Sequence, residues 1–139
     1  MKETSKELKE NGYKSTPARL GILDLFSTSK TPLNAESVYK KISRTKRHRD
    51  INEVTVYRTL SSLEESGLLK RVDLRKSSAY FELNKNHHHH ISCTNCDEIE
   101  ELKNQELEKI LGQIVDKSYK FKSIKEHSVE FFGLCKECA

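Results

Sequence analysis

His87-His88-His89-His90-Ile91-Ser92-Cys93-Thr94-Asn95-Cys96 divides the chain into two halves of different chemistry. Four imidazoles run straight into a Cys-x-x-Cys pair, and a second such pair, Cys135 and Cys138, stands near the C-terminal end. Each pair can place two thiolates on one soft metal from a tight turn, so the two pairs together complete the tetrahedral four-sulfur set that structural zinc prefers. The 38 residues between Cys96 and Cys135 exceed the usual finger spacing and fit a metal that clamps the ends of a small domain. Such a closed site leaves no position for water and carries no catalysis. The imidazoles remain for a second metal. In an extended segment side chains alternate, so His88 and His90 share one side while His87 and His89 share the other. Each pair needs further ligands, for which Glu82, Glu101, Glu108 and His127 are candidates. Mixed nitrogen and oxygen ligands suit Fe(II), Mn(II) or Zn(II) without choosing among them.

The chain has 139 residues, a formal net charge of +4 and a pI near 8.8, which suits one large domain or two small ones. The average hides an asymmetry. Residues 1–84 carry 17 Lys/Arg against 11 Asp/Glu, and residues 85–139 carry 8 against 10. The basic half is the one to expect on nucleic acid. No apolar run approaches the ~20 residues needed to cross a bilayer, and Met-Lys-Glu-Thr-Ser-Lys-Glu has no signal-peptide core, so a cytoplasmic protein without membrane partners is expected. Cytosolic thiols stay reduced, which favours metal ligation over disulfides. Zinc also helps a C-terminal segment too small to be comfortable on its own core.

Upstream of the histidines the pattern is helical. Residues 3–11 read as a short polar helix ending at Asn11-Gly12, and Thr16-Pro17 opens a second helix as N-cap and first helical residue. Leu20, Ile22, Leu23 and Phe26 give that helix its apolar face. Asn34 caps a third helix, with Ala35, Val38, Tyr39 and Ile42 at i, i+3, i+4, i+7. The basic connector Arg44 to Arg49 leads to Asn52, which caps a fourth helix stopped by Gly67. There Val56, Leu60 and Leu63 point one way, and Thr55, Arg58, Thr59 and Ser62 elsewhere, with Tyr57 at the flank. An apolar stripe backed by polar groups suits a helix that sits on a core and enters a major groove. Leu68–Leu74 and Ala79–Leu83 read as strands joined by the basic tip Arg75-Lys76-Ser77-Ser78. Helices followed by a hairpin predict a winged helix-turn-helix.

Asn84-Lys85-Asn86 is turn-prone and marks the hinge, giving domains 1–84 and 85–139. Beyond it, His89–Ser92 and Glu98–Leu102 read as strands, and Leu107, Ile110, Leu111, Ile114 and Val115 as the apolar face of a helix. One or two further strands are expected between Phe121 and Leu134. The expected class is α/β (α+β): a winged helix followed by a small α/β domain with a four-cysteine zinc site. Its open sheet edge invites a partner subunit.

Three stretches carry a family resemblance. Gly12-Tyr13-Lys14-Ser15-Thr16-Pro17-Ala18-Arg19, Thr55-Val56-Tyr57-Arg58-Thr59-Leu60 with Leu63-Glu64-Glu65-Ser66-Gly67-Leu68, and the histidine run into Cys93 and Cys96 with Gly133-Leu134-Cys135 and Cys138 together resemble the ferric uptake regulator (Fur) family. The resemblance implies a homodimeric, metal-dependent repressor that binds double-stranded operator DNA, is not an enzyme and takes no organic substrate. It places DNA reading on Tyr57 and Arg58, with Lys14 and Arg19 at the minor groove and backbone; Thr55 lies on the same helix. It implies structural zinc on Cys93, Cys96, Cys135 and Cys138. A sensory site for Fe(II), Mn(II) or Zn(II) would fall on Glu82, His88, His90 and Glu101, and a second site on His87, His89, Glu108 and His127. Two residues depart from the family pattern. Pro32 stands where a sensory histidine often begins the third helix, and His89 stands where many members have aspartate.

Other readings differ in class. A peroxide sensor would oxidise a histidine beside bound iron, but that chemistry favours oxygen-rich sites. A redox switch would eject zinc from the cysteines. A metal-dependent hydrolase would need a general base or nucleophile motif, and neither is present.

Overall fold

The computed structural model describes residues 2–14, 16–45, 50–85 and 87–139. Four residues of the expected basic connector, Lys46, Arg47, His48 and Arg49, and Asn86 of the expected hinge lie outside them. The chain forms two compact units, residues 1–85 and 86–139.

The first unit begins with α1 (Lys2–Glu10), which Gly12 ends at φ +78°, where its amide and that of Tyr13 return to the carbonyls of Lys9 and Leu8. In α2 (Pro17–Thr28) the Thr16 hydroxyl accepts from the amide of Arg19 at 3.2 Å, and proline occupies the start, where its missing N–H is not needed. A two-residue strand, β1 (Leu33–Asn34), leads into α3 (Ala35–Ser43), and Asn34 caps it by accepting from Ser37 N at 2.9 Å. Pro32 thus precedes β1 and stands three residues ahead of the first residue of α3, not at the helix start. Asn52 caps α4 (Glu53–Glu65) in the same way, accepting from Thr55 N at 2.9 Å. Gly67, at φ +83°, turns the chain into the wing.

The wing is β2 (Leu69–Val72) and β3 (Tyr80–Leu83), paired antiparallel from Leu69↔Leu83 to Val72↔Tyr80. Both strands are shorter than expected. Asp73 accepts from the amide of Arg75, which takes φ 54°, so the turn begins before Leu74. The unexpected β1 pairs with the other side of β3, giving the order β1-β3-β2. The core joins Ile22, Leu23, Val38, Val56, Leu60 and Leu63, all essentially inaccessible to solvent. Thr59 is also buried, contrary to the expected outward placement. It lies three residues from Val56 and four from Leu63, so helical geometry carries it to their face.

The second unit contains β4 (His89–Cys93), β5 (Ile99–Leu102), α5 (Gln105–Asp116) and β6 (Glu130–Gly133). The sheet order is β5-β4-β6, antiparallel between β4 and β5 and parallel between β4 and β6. A parallel neighbour needs a crossover, and α5 supplies it. Between Phe121 and Leu134 one strand forms; residues 117–129 hold no helix or strand. Among the described residues no helix is long and apolar enough to cross a membrane.

Candidate metal centres and nucleic-acid interface

The parallel register Cys93↔Gly133 delivers both cysteine turns to one end of the second unit's sheet. All four Sγ atoms lie within 4.8 Å of one another, and Cys96 Sγ and Cys135 Sγ are 3.7 Å apart. A tetrahedral zinc with Zn–S near 2.3 Å requires edges of about 3.8 Å, which the Cys96–Cys135 edge matches, and the grouping of the other sulfurs is compatible with such a site. Backbone amides prepare the sulfurs for negative charge. Cys135 N and Asn95 N both donate to Cys93 Sγ at 3.4 Å, and Glu98 N donates to Cys96 Sγ at 3.4 Å.

Protonation shows what the cluster would favour. The amides of Cys135 and then Asn95 draw the Cys93 thiol down from 9.0 to about 6. The Glu98 amide favours the Cys96 thiolate too, but the Cys93 sulfur, burial and the sulfurs of Cys135 and Cys138 outweigh it and push that thiol up to about 12. Cys138 is raised as well: the Asn95 side chain opposes the rise, while Cys135 and burial prevail. One thiolate therefore suppresses its neighbours. A dication would relieve that repulsion and deprotonate all four, so residues and charge both fit zinc.

The histidine run places imidazoles on two faces. His87 Nε2 and His127 Nε2 are 3.0 Å apart, and both approach Glu108 Oε2, at 3.1 and 2.8 Å. The buried His89 meets the other carboxylate oxygen, Glu108 Oε1, through its Nε2. Three ring nitrogens thus converge on one carboxylate. Ligands about 2.1 Å from a divalent ion lie roughly 3.0–3.4 Å apart, so this constellation also fits a metal. Burial works against ionisation of Glu108, but the hydrogen bond with His89 and the imidazoles of His87 and His127 hold its pKa below 4.5.

On the other face the rings of His88 and His90 meet edge to face, with centroids 4.8 Å apart. Glu101 lies opposite His90 in the β4–β5 ladder and pairs with Lys103 at 3.2 Å. Glu82 belongs to the first unit, buried on β3 with Lys70 Nζ 3.4 Å from its carboxylate.

In the first unit α4 buries Val56, Thr59, Leu60 and Leu63 and leaves Tyr57 60% and Val54 55% exposed. Arg58 is exposed beside them and Thr55 is half-buried. Val54 escaped sequence reasoning because a lone valine at a helix start reads as core; exposure alone reveals it. Two contacts from Arg71 to Glu64, at 3.0 and 3.1 Å, tie β2 to α4. Lys14 is exposed. Arg19 Nη1 donates to the Lys14 carbonyl at 3.1 Å, with its guanidinium 5.1 Å over the Tyr13 ring, so Arg19 also shapes the turn that presents Lys14.

A winged helix with one solvated helix face, and a second unit organised by cysteine and histidine clusters, define a metal-dependent DNA-binding regulator as the class. The Ferric uptake regulator family matches residues 10–132. The chain is 36% identical to the ferric uptake regulation protein of Neisseria meningitidis over 135 residues, covering 95% of this chain and 90% of that protein. Among solved structures it resembles the Helicobacter pylori ferric uptake regulator, described as having three functional metal-binding sites. The TM-score is 0.81 at 30% identity, covering 99% of this chain and 89% of that one. It also resembles the Pseudomonas aeruginosa ferric uptake regulator with manganese, with TM-score 0.79 and 29% identity over 96% and 98% of the two chains. The chain belongs to the ferric uptake regulator family, a family of transcription regulators, and is a metal-responsive regulator of the Fur type.

Proposed function

We propose that this protein works in the cytoplasm as a homodimer, repressing metal-homeostasis genes by binding double-stranded operator DNA with a divalent metal as corepressor. The observation that carries the reading is the division of labour on β4. Its cysteine end joins a four-sulfur cluster suited to zinc, and its histidine end offers nitrogen ligands suited to an exchangeable Fe(II), Mn(II) or Zn(II). Zinc fixes the second unit. Sensing is proposed on Glu82, His88, His90 and Glu101, with His87, His89, Glu108 and His127 as a second site, a reading supported by the family resemblance.

The dimer accounts for the apolar surface of the second unit. α5 buries none of its side chains, and Ile110, Ile114, Tyr119 and Phe121 are exposed. A second copy covering them removes an apolar patch that a monomer seldom leaves in water. Two copies then present two α4 helices to one duplex. Arg58 reads guanine or contacts phosphate, Tyr57 touches thymine methyls, and Lys14, Arg19 and the wing tip hold phosphates, with Thr55 beside them.

A peroxide-sensing reading draws on the likeness to the Campylobacter jejuni peroxide stress regulator, with TM-score 0.72 and 27% identity. The nitrogen-rich cluster around Glu108 ranks it second. A promoter reporter with sedimentation on the same preparations tests the main reading. Metal-dependent repression by a dimer, lost in Arg58→Ala, is expected. Derepression by peroxide at constant metal would move the reading to the alternative.

A further inference from the structure

The first turn of α4 carries a residue that the proposed DNA contacts leave without a task. Val54 is 55% exposed although it is apolar and β-branched. At about 100° per residue, Val54 falls roughly 60° from Tyr57 and roughly 40° from Arg58 around the helix, inside the arc they bound and one turn nearer the N-terminus. That end of a recognition helix contacts base edges. The Asn52 cap, at 2.9 Å from Thr55 N, holds this turn in place, so the valine is presented by a fixed backbone.

Chemistry limits what Val54 can read. It has no donor or acceptor, and the major-groove edge of DNA offers one apolar feature, the C5-methyl of thymine. Arg58 on one flank supplies charge for the duplex, and Tyr57 on the other extends the apolar strip. We infer that Val54 is a specificity-determining residue, packing on a thymine methyl in each half-site and so selecting T over C at that position. This rests on the proposed reading that α4 enters the major groove.

The test uses the full-length, metal-loaded protein and a duplex selected by that protein from a random pool. Each thymine is replaced in turn by uracil, which removes only the methyl, and affinity is measured at fixed salt for wild type and Val54→Ala. Losing one buried methyl weakens binding about fourfold per half-site. One thymine per half-site is expected to show this loss in wild type. Val54→Ala is expected to bind the thymine duplex about that much more weakly and to ignore uracil at that position alone. The substitution is exposed and replaces valine with a better helix former, so folding is preserved. Uracil effects identical in both proteins would overturn the assignment and give the methyl to another side chain, as would a wild type indifferent to every uracil. Arg58→Ala separates the two failures. If it loses discrimination on the same duplex, only Val54 is wrong; if it does not, the placement of α4 falls as well.

Discussion

Among the described residues of the first unit, thirteen buried apolar side chains, from Leu8 to Phe81, form one cluster. In the second, the buried residues among those described are His89, His90, Ser92, Cys93 and Ile99. One half folds around hydrocarbon, and the other buries three of its candidate metal ligands, His89, His90 and Cys93. On the proposed reading the first should hold its shape whatever the metal supply, and the second should couple its stability to metal, because ligands that gather only in the folded state turn binding energy into folding energy. A sensor needs both properties: a rigid reader, and a partner unit whose state depends on what is bound.

The contrast breaks most visibly at the zinc. Cys93→Ser should unfold or monomerise the second unit while the helices of the first persist, because structural zinc contributes on the order of 10–16 kcal/mol in finger peptides. Circular dichroism with sedimentation would show it, and a folded, dimeric variant would contradict it. Leu60→Ala is the converse experiment. It should destabilise the first unit by about 2–5 kcal/mol in denaturant titrations and leave bound zinc unchanged. Arg58→Ala is expected to remove about 1–3 kcal/mol of operator discrimination, with metal content unaltered.

The smallest effect concerns Glu108. Its folded pKa lies below 4.5, so between the two values the unfolded chain binds more protons and stability rises with pH. The contribution is complete above 4.5 and fades as pH falls through the folded value. In protein that keeps zinc on its four cysteines but is stripped of other metal, Glu108→Gln should flatten the acid limb of stability below pH 4.5, measured by thermal melts across pH. An unchanged acid limb would count against the histidine–carboxylate cluster.

Periodicity made the helices legible, since Val56, Leu60 and Leu63 recur at helical spacing, and the caps Thr16, Asn34 and Asn52 announced where helices begin. Thr59 shows the limit of polarity, which suggests solvent even when spacing places a residue on the core face. The two residues of β1 are too few to show any period. The amphipathic pattern of α5 revealed a need for burial without revealing the covering surface, because periodicity names a face and not its partner. At the sites, strand alternation separated His87 and His89 from His88 and His90. The convergence of three ring nitrogens on Glu108 depends on the fold that places α5 and His127 beside β4. The parallel register that joins the cysteine turns likewise has no local signal.

The most direct measurement is the operator affinity of protein that retains zinc on its four cysteines but is stripped of other metal, titrated anaerobically with Fe(II), Mn(II) and Zn(II) at fixed salt. Affinity should rise with at least one metal, and the rise should vanish in His90→Ala while zinc content stays constant. Affinity indifferent to all three would contradict the metal-sensing account and leave a zinc-stabilised DNA binder controlled by some other signal.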